Sequence, residues 1–243
     1  MNPTSTNHQL QAAYQIYLDV IYSQSWDDNV SSPLLMHVFP EYAEMGKKVM
    51  FVGQETHNWG RMNKKLSVAE LQDTYERFNL GKSADYNDEK PLRHLKSPFW
   101  NFSRSFFHNV NRANPEVSRN TNGFLWTNIS KFDCNSTTPN NELQQRNEAG
   151  FCLLKTEIAI TKPDVVIFLT GTKYDGWINK VFTPKSMEIL PDGFLKKLIV
   201  EDNSLPTLTF QTKHPRTLIG SKKSKIANRY HEVINKISEL AML

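Results

Sequence analysis

Pro163 opens the segment Asp164-Val165-Val166-Ile167-Phe168-Leu169-Thr170-Gly171, in which five consecutive residues are apolar and a glycine ends the run. A run this short and this uniformly apolar reads as a strand buried on both faces, and such strands belong to parallel sheets covered by helices. Val49-Met50-Phe51-Val52-Gly53 after Lys47-Lys48 is another short apolar run closed by glycine, the aromatic and β-branched stretch from Gly123 to Ile129 reads as a further strand, and Leu205 to Thr212 gives the fourth. Helical patterns separate them. Leu10, Tyr14, Tyr17 and Ile21 recur at helical spacing within Thr6 to Ser23. Ser67 and Glu70 form a capping box for a helix over Val68 to Leu80, with Gly81 as its stop. Ser97-Pro98 starts another, whose Phe99, Phe102, Phe106 and Val110 make an aromatic stripe of the kind that usually faces a core. A long helix is predicted from Glu142 to Thr161 and a closing one from Ser221 to Leu240. The alternation predicts one α/β domain over residues 1–243, with a central four-stranded parallel sheet in a three-layer α/β/α arrangement.

Composition narrows the function classes. With 39% hydrophobic residues, 22% charged residues and a mean hydropathy of -0.53, the 243-residue chain is expected to be a soluble globular protein. No stretch approaches the ~18 to 20 apolar residues of a membrane span, and the polar segment Met1 to Gln11 lacks the pattern of a secretory signal. A cytoplasmic monomer without a membrane partner is the expectation. Cys134 and Cys152 are too few and too far apart to build a thiolate metal site, so no metal or cofactor is expected. There is no Gly-x-Ser-x-Gly elbow, Walker loop or Gly-x-Gly-x-x-Gly motif. The net charge is only +4, but Lys213, Arg216, Lys222, Lys223, Lys225 and Arg229 fall within Gln211 to His231 without one acidic residue. Clustered cations of this kind bind phosphates, and they also serve as a solvated face.

In parallel sheets, ligands bind beyond the carboxyl ends of the strands. The segments there are Gly53-Gln54-Glu55-Thr56-His57, Asn128-Ile129-Ser130, Gly171-Thr172 and Lys213-His214-Pro215-Arg216. A carboxylate, an amide and an imidazole are thereby expected to converge.

Gly53-Gln54-Glu55-Thr56-His57-Asn58 resembles the water-activating motif of uracil-DNA glycosylases, which in the best-known branch reads Gly-Gln-Asp-Pro-Tyr-His. His214-Pro215-Arg216-Thr217-Leu218 is similar to that family's His-Pro-Ser-Pro-Leu segment. Between them, Ser97-Pro98-Phe99-Trp100-Asn101-Phe102 resembles the Pro-Ser-Leu-x-Asn-Ile helix start, and Phe124 to Asn128 resembles the strand ending in Leu-Leu-Asn. The correspondence covers Lys47 to Leu240 in the family's order, which leaves residues 1–46 as a helical extension packed on a core of 47–243.

The resemblance to the metal-free part of the uracil-DNA glycosylase superfamily implies a DNA N-glycosylase that removes uracil, or a related damaged or modified base, from single- or double-stranded DNA. It implies Glu55 and His214 as catalytic residues: Glu55 orients a water and favours the sugar cation, and His214 donates to the base carbonyl. Around the flipped base it implies Gln54, His57 and Asn128, with a stacking aromatic for which Tyr86, Trp59 and His57 compete. On the DNA it implies Lys213, Arg216, Thr217, Lys222 and Lys223 at phosphates, and Leu218 as the wedge that replaces the lost stack or, alternatively, as a residue packed beneath its loop. The departures are Glu55 for aspartate, Thr56 for proline, Arg216-Thr217 for Ser-Pro, and His57 for the tyrosine that excludes thymine. They leave a second possibility open, a glycosylase-like binding module without catalysis. No lysine is clearly placed for Schiff-base chemistry, so monofunctional base excision is expected.

Overall fold

In the computed structural model, which describes residues 1–79, 97–113, 121–220 and 228–243, the chain builds an α/β fold around one mixed sheet. Its strands are β1 (Val49–Gly53), β2 (Leu125–Asn128), β3 (Val165–Phe168), β4 (Lys185–Leu190), β5 (Leu195–Ile199) and β6 (Leu208–Thr212), in the order β2-β1-β3-β6-β5-β4. Every residue of β1, β2 and β3 is buried, as the continuous apolar character of β1 and β3 requires, and β2 buries Thr127 and Asn128 as well. The four expected strands are parallel to one another, with Phe51 beside Trp126 and Ile167, and Ile167 beside Phe210.

The expected sheet was nevertheless too small, because among the described residues it has six strands rather than four. The extra pair, β4 and β5, is an antiparallel hairpin added to the free edge of β6. Most of β4 is exposed, and Lys185, Glu188, Lys196 and Lys197 interrupt its and its partner's apolar residues, so neither strand has the uniform run that marks a buried one. Its signal lies in the turn: Asp192 and Gly193 both have positive φ, 57° and 65°, which is what a two-residue hairpin turn of matching twist demands.

The helices are α1 (Pro3–Tyr22), α2 (Pro40–Glu44), α3 (Val68–Asn79), α4 (Pro98–Val110), α5 (Asn141–Arg146), α6 (Glu148–Thr161), α7 (Asp175–Phe182), α8 (Pro215–Ile219) and α9 (Tyr230–Met242). The capping box closes as expected, with the Ser67 amide donating to Glu70 Oε2 at 2.8 Å and the Glu70 amide to Ser67 Oγ at 3.3 Å. Helix α4 starts at Ser97, whose side chain accepts from the Trp100 amide. The single helix expected over Glu142 to Thr161 is two, α5 and α6, broken at the buried Asn147. Asn147 leaves helical geometry because its amide is claimed by tertiary contacts, accepting from Tyr17 OH at 3.2 Å and donating to Ser130 Oγ at 3.4 Å. The described part of the closing helix begins at Tyr230. Helix α1 packs against α3 and α6, while α4 packs against α8 and α9. No helix among the described residues is long and apolar enough to cross a membrane.

Residues 1–46 are more than an external cover. Val30, Leu34, Leu35, Met36 and Val38 belong to the buried core, and the amides of Ser31 and Leu34 donate to the carbonyls of Asp133 and Lys131. Beneath the same loop lies a fully buried ion pair, Lys131 Nζ to Glu157 Oε2 at 2.5 Å. Lys131 Nζ also donates to Thr127 Oγ1 at 2.7 Å, and Tyr14 OH donates to Glu157 Oε1 at 3.1 Å. Burial pulls the lysine pKa down against the opposing pull of Glu157. The network ties α1, β2 and α6 together directly under the carboxyl end of β2.

Candidate functional site

From β1 the chain runs to β2 on one side of it, then returns to β3 on the other, so a topological switch lies between β1 and β3. At such a point successive connections diverge and open a crevice at the strands' carboxyl ends. Gln54 bridges it, its amide nitrogen donating to the Thr170 carbonyl at 2.8 Å.

Glu55 follows immediately and is gripped by three donors. Tyr174 OH donates to Oε2 at 2.7 Å, Thr138 Oγ1 donates to Oε1 at 2.9 Å, and Lys173 Nζ reaches Oε1 at 3.2 Å. The carboxylate side chain keeps 13% of its surface in contact with solvent, so it is held in place without being sealed off. Tyr174 is buried, and burial together with the Glu55 charge drives its phenol pKa far up, which keeps it a donor.

The loop that carries Glu55 is fixed by the buried carboxylate of Asp133. It accepts from Thr56 Oγ1 at 2.7 Å, the Asn58 amide at 2.9 Å and the Ser136 amide at 2.7 Å. Thr56 in turn shares a hydrogen bond of 2.8 Å with Ser31 Oγ. A threonine in place of the family's proline is therefore a structural tie between three segments. His57, by contrast, is exposed, with Nδ1 3.2 Å from the Ser136 carbonyl.

His214 caps α8 at the end of β6. Its Nδ1 accepts from the Arg216 amide at 3.2 Å, which places the proton of the neutral ring on Nε2. Burial, then the positive charge of Arg216, lowers its pKa below the ordinary histidine value; Glu55 opposes this and Lys173 adds to it. Glu55, Lys173 and His214 thus act on one another at the same rim of the sheet.

Asn128 ends β2 with 6% exposure, and its amide has no hydrogen-bond partner among the described residues. Its Oδ1 lies so close over Gly53 that a Cβ there would collide with it, and the same Cβ would meet the Phe99 ring at 3.4 Å. Gly53 is therefore required for Asn128 to turn inward. Phe99, read from sequence as one of a core stripe, is only half-buried, whereas Phe102 and Phe106 on that stripe are fully buried.

No protein-family model matches this chain, and no curated protein matches it.

The remaining expected residues divide. Trp59 is engaged edge-on by Phe78 and Trp126, and its Nε1 is buried without a partner, so its ring is committed to an aromatic cluster. Lys213 Nζ sits 4.0 Å from the centre of the Phe194 ring at the hairpin tip, with the Arg229 guanidinium over the same ring at 5.6 Å. Arg229 is also paired with Glu232 at 2.7 Å, so part of the basic run is neutralised by an acid just beyond it. Arg216 is exposed and Thr217 half-buried. Leu218 corrects the expectation of a wedge: it is completely buried, because the short α8 turns it inward onto the core, and Ile219 is the apolar side chain left outside, at 43% exposure. Tyr86, Lys222 and Lys223 lie outside the described residues.

Thr138, Lys173, Tyr174 and the position of Phe99 were missed from sequence. Lys173-Tyr174 stands just past the Gly171-Thr172 end of the third core strand, and extending each strand-end segment by two residues would have included it. Two surface cavities, about 160 Å³ beside Cys152 and Trp177 and about 510 Å³ beside Lys162 and Asp202, border neither Glu55 nor His214. Among the described residues no group of three or more His, Cys, Asp or Glu could hold a metal ion. What the rim assembles is an oriented carboxylate, an imidazole whose Nε2 and an asparagine whose side-chain amide have no partner among the described residues, a half-buried aromatic ring and an amine.

Proposed function

We propose that the chain is a DNA N-glycosylase that hydrolyses the bond between deoxyribose and a flipped-out uracil or a related modified base. What supports this is that Glu55, held by Tyr174, and His214, whose Nδ1 accepts from the Arg216 amide, follow the ends of β1 and β6 near enough for the Glu55 charge to act on the imidazole. The grouping of α1 with α6 and of α4 with α9 supports a three-layer α/β/α reading of the fold.

Cleavage of the N-glycosidic bond leaves positive charge on the sugar and negative charge on the base. Glu55 supports the sugar cation and orients the attacking water. His214 donates its Nε2–H to the base carbonyl as negative charge builds there, a contribution of about 3 to 4 kcal/mol for a preorganised donor. Asn128, with one donor and one acceptor, matches the N3–H and O4 edge of uracil. Phe99 supplies the stacking face, and the small, exposed His57 leaves room for a substituent at C5. Lys213, Arg216 and Thr217 contact phosphates, and Ile219 in place of Leu218 enters the gap in a duplex.

A second reading, a binding module without catalysis, is favoured by the Lys173–Glu55 ion pair, because an ammonium on the carboxylate offsets the field it offers to a sugar cation. The two are separated by measuring binding and abasic-site formation in one experiment, on single-stranded and duplex oligonucleotides containing uracil. Catalysis predicts abasic sites wherever binding is detected; binding without them selects the module. The pH profile adds a sign. Because His214 acts as a neutral donor and its pKa is lowered, activity is retained as pH falls through about 6.5 and is lost only below it. An acid limb at or above that value contradicts the role given to His214.

A further inference from the structure

Lys173 takes no chemical step in base hydrolysis. Both oxygens of Glu55 already receive a hydroxyl, from Tyr174 at 2.7 Å and from Thr138 at 2.9 Å, and Lys173 adds a bond to that Thr138 hydroxyl as well as to the carboxylate. The lysine side chain is 41% exposed, and an ion pair that open to water adds little to stability. As a bystander its charge would even oppose the cation that forms on the sugar. Yet its amine stands 3.2 Å from Glu55 Oε1, beyond the end of β3, at the switch between strands where the sugar is to be held. The ion pair holds the amine charged at rest, but once a bound sugar displaces the surrounding water the adjacent carboxylate is in place to accept its proton, and the neutral lysine is a nucleophile toward a carbonyl carbon.

We propose that Lys173 gives the protein a second activity, incision of DNA at an abasic site through a Schiff base, an inference that rests on the reading of this crevice as the place where a flipped deoxynucleotide is received. Glu55 takes a proton from the Lys173 ammonium. The free amine adds to C1′ of the ring-opened abasic sugar, which is an aldehyde, to give a carbinolamine. Glu55 returns its proton to the carbinolamine hydroxyl, which leaves as water, so that an iminium joins Nζ to C1′. The regenerated carboxylate then removes a proton from C2′; the electrons of that bond shift toward C3′ and expel the 3′ phosphate, which breaks the strand. Water hydrolyses the conjugated iminium, freeing Lys173 and leaving an unsaturated aldehyde on the upstream fragment. No oxidant, reductant or metal enters the balance.

The test uses the full chain and an oligonucleotide that already contains an abasic site, so that success does not depend on base excision. Borohydride is added to reduce any iminium to a stable amine, and the covalent protein–DNA product and the incised strand are both quantified. The expected result is a trapped adduct that maps to Lys173 by peptide mass and falls about 100-fold or more in Lys173→Arg, which keeps the charge and the pair with Glu55 but cannot form the imine. Circular dichroism and the thermal midpoint verify that this variant is folded, and Lys173→Gln is the second variant. An oligonucleotide bearing the tetrahydrofuran analogue, which cannot open to an aldehyde, is expected to give no adduct. Absence of an adduct with the unsubstituted protein at every DNA concentration overturns the proposal, as does an adduct that persists in both variants. Failure of the glycosylase reading would look different: uracil DNA would yield no abasic sites whatever the outcome with preformed ones.

Discussion

Glu55→Gln is expected to lower the rate of base release by about 10²- to 10⁴-fold, the range removed with a positioned acid–base group, while DNA binding survives. The glutamine has the same length, so the loop tied to Asp133 has no reason to move. What changes is charge and polarity. One of the two oxygens that accept from Tyr174, Thr138 and Lys173 becomes an NH₂ group facing donors, and the negative field on the sugar disappears. Abasic-site counting on uracil-containing single strands, with fluorescence anisotropy for binding, reads both effects. A rate within threefold of the parent, about 0.7 kcal/mol in barrier, would show that Glu55 is not the group that matters.

The largest effect on stability is expected from Lys131→Met, about 3 to 5 kcal/mol, because it strips the cation from a carboxylate that is completely buried. Tyr14 and Thr127 still donate to Glu157, but two neutral hydrogen bonds do not replace a charge partner at 2.5 Å. Removing both ends, Lys131→Met with Glu157→Leu, should recover much of the loss, since the pair itself was expensive to desolvate. Urea unfolding of the single and double variants measures this directly. A single variant that loses less than about 1 kcal/mol would mean that the buried charge finds other compensation. The consequence reaches the site as well: Thr127 precedes Asn128, and Lys131 lies two residues before Asp133.

Of the four parallel strands, β1 and β3 were legible as apolar runs closed by a glycine, while β2 and β6, with Thr127-Asn128 and Thr209, Gln211 and Thr212, were legible by their aromatic and β-branched character and their place between helical stretches. Val165 to Phe168 is the plainest case. The hairpin of β4 and β5 lacked that signal because β4 is an exposed edge strand carrying Lys185 and Glu188 and the half-buried Lys196 and Lys197 interrupt β5, and only Asp192-Gly193 announced it. Asn147 broke a predicted helix for a reason that periodicity does not carry: its side-chain partners, Tyr17 and Ser130, are 130 and 17 residues away. At the site, strand ends pointed to Glu55, Asn128 and His214, since topology brings those ends together whatever the side chains do. The grip on Glu55 was illegible because Thr138, Lys173 and Tyr174 reach it from other connections, at 83 to 119 residues' separation. Leu218 illustrates the opposite error. Its register with a motif gave a position along the chain, but the direction of its side chain is set by the turn of α8, which points it into the core.

The most direct test of base excision is to incubate the purified protein with oligonucleotides carrying uracil and a range of modified pyrimidines, and to identify what is set free by mass spectrometry. The prediction is an intact free base, released from at least one of these strands by the parent protein and not by Glu55→Gln. Release of nothing from any strand that the protein binds, or of a nucleoside or nucleotide in place of a base, would contradict it.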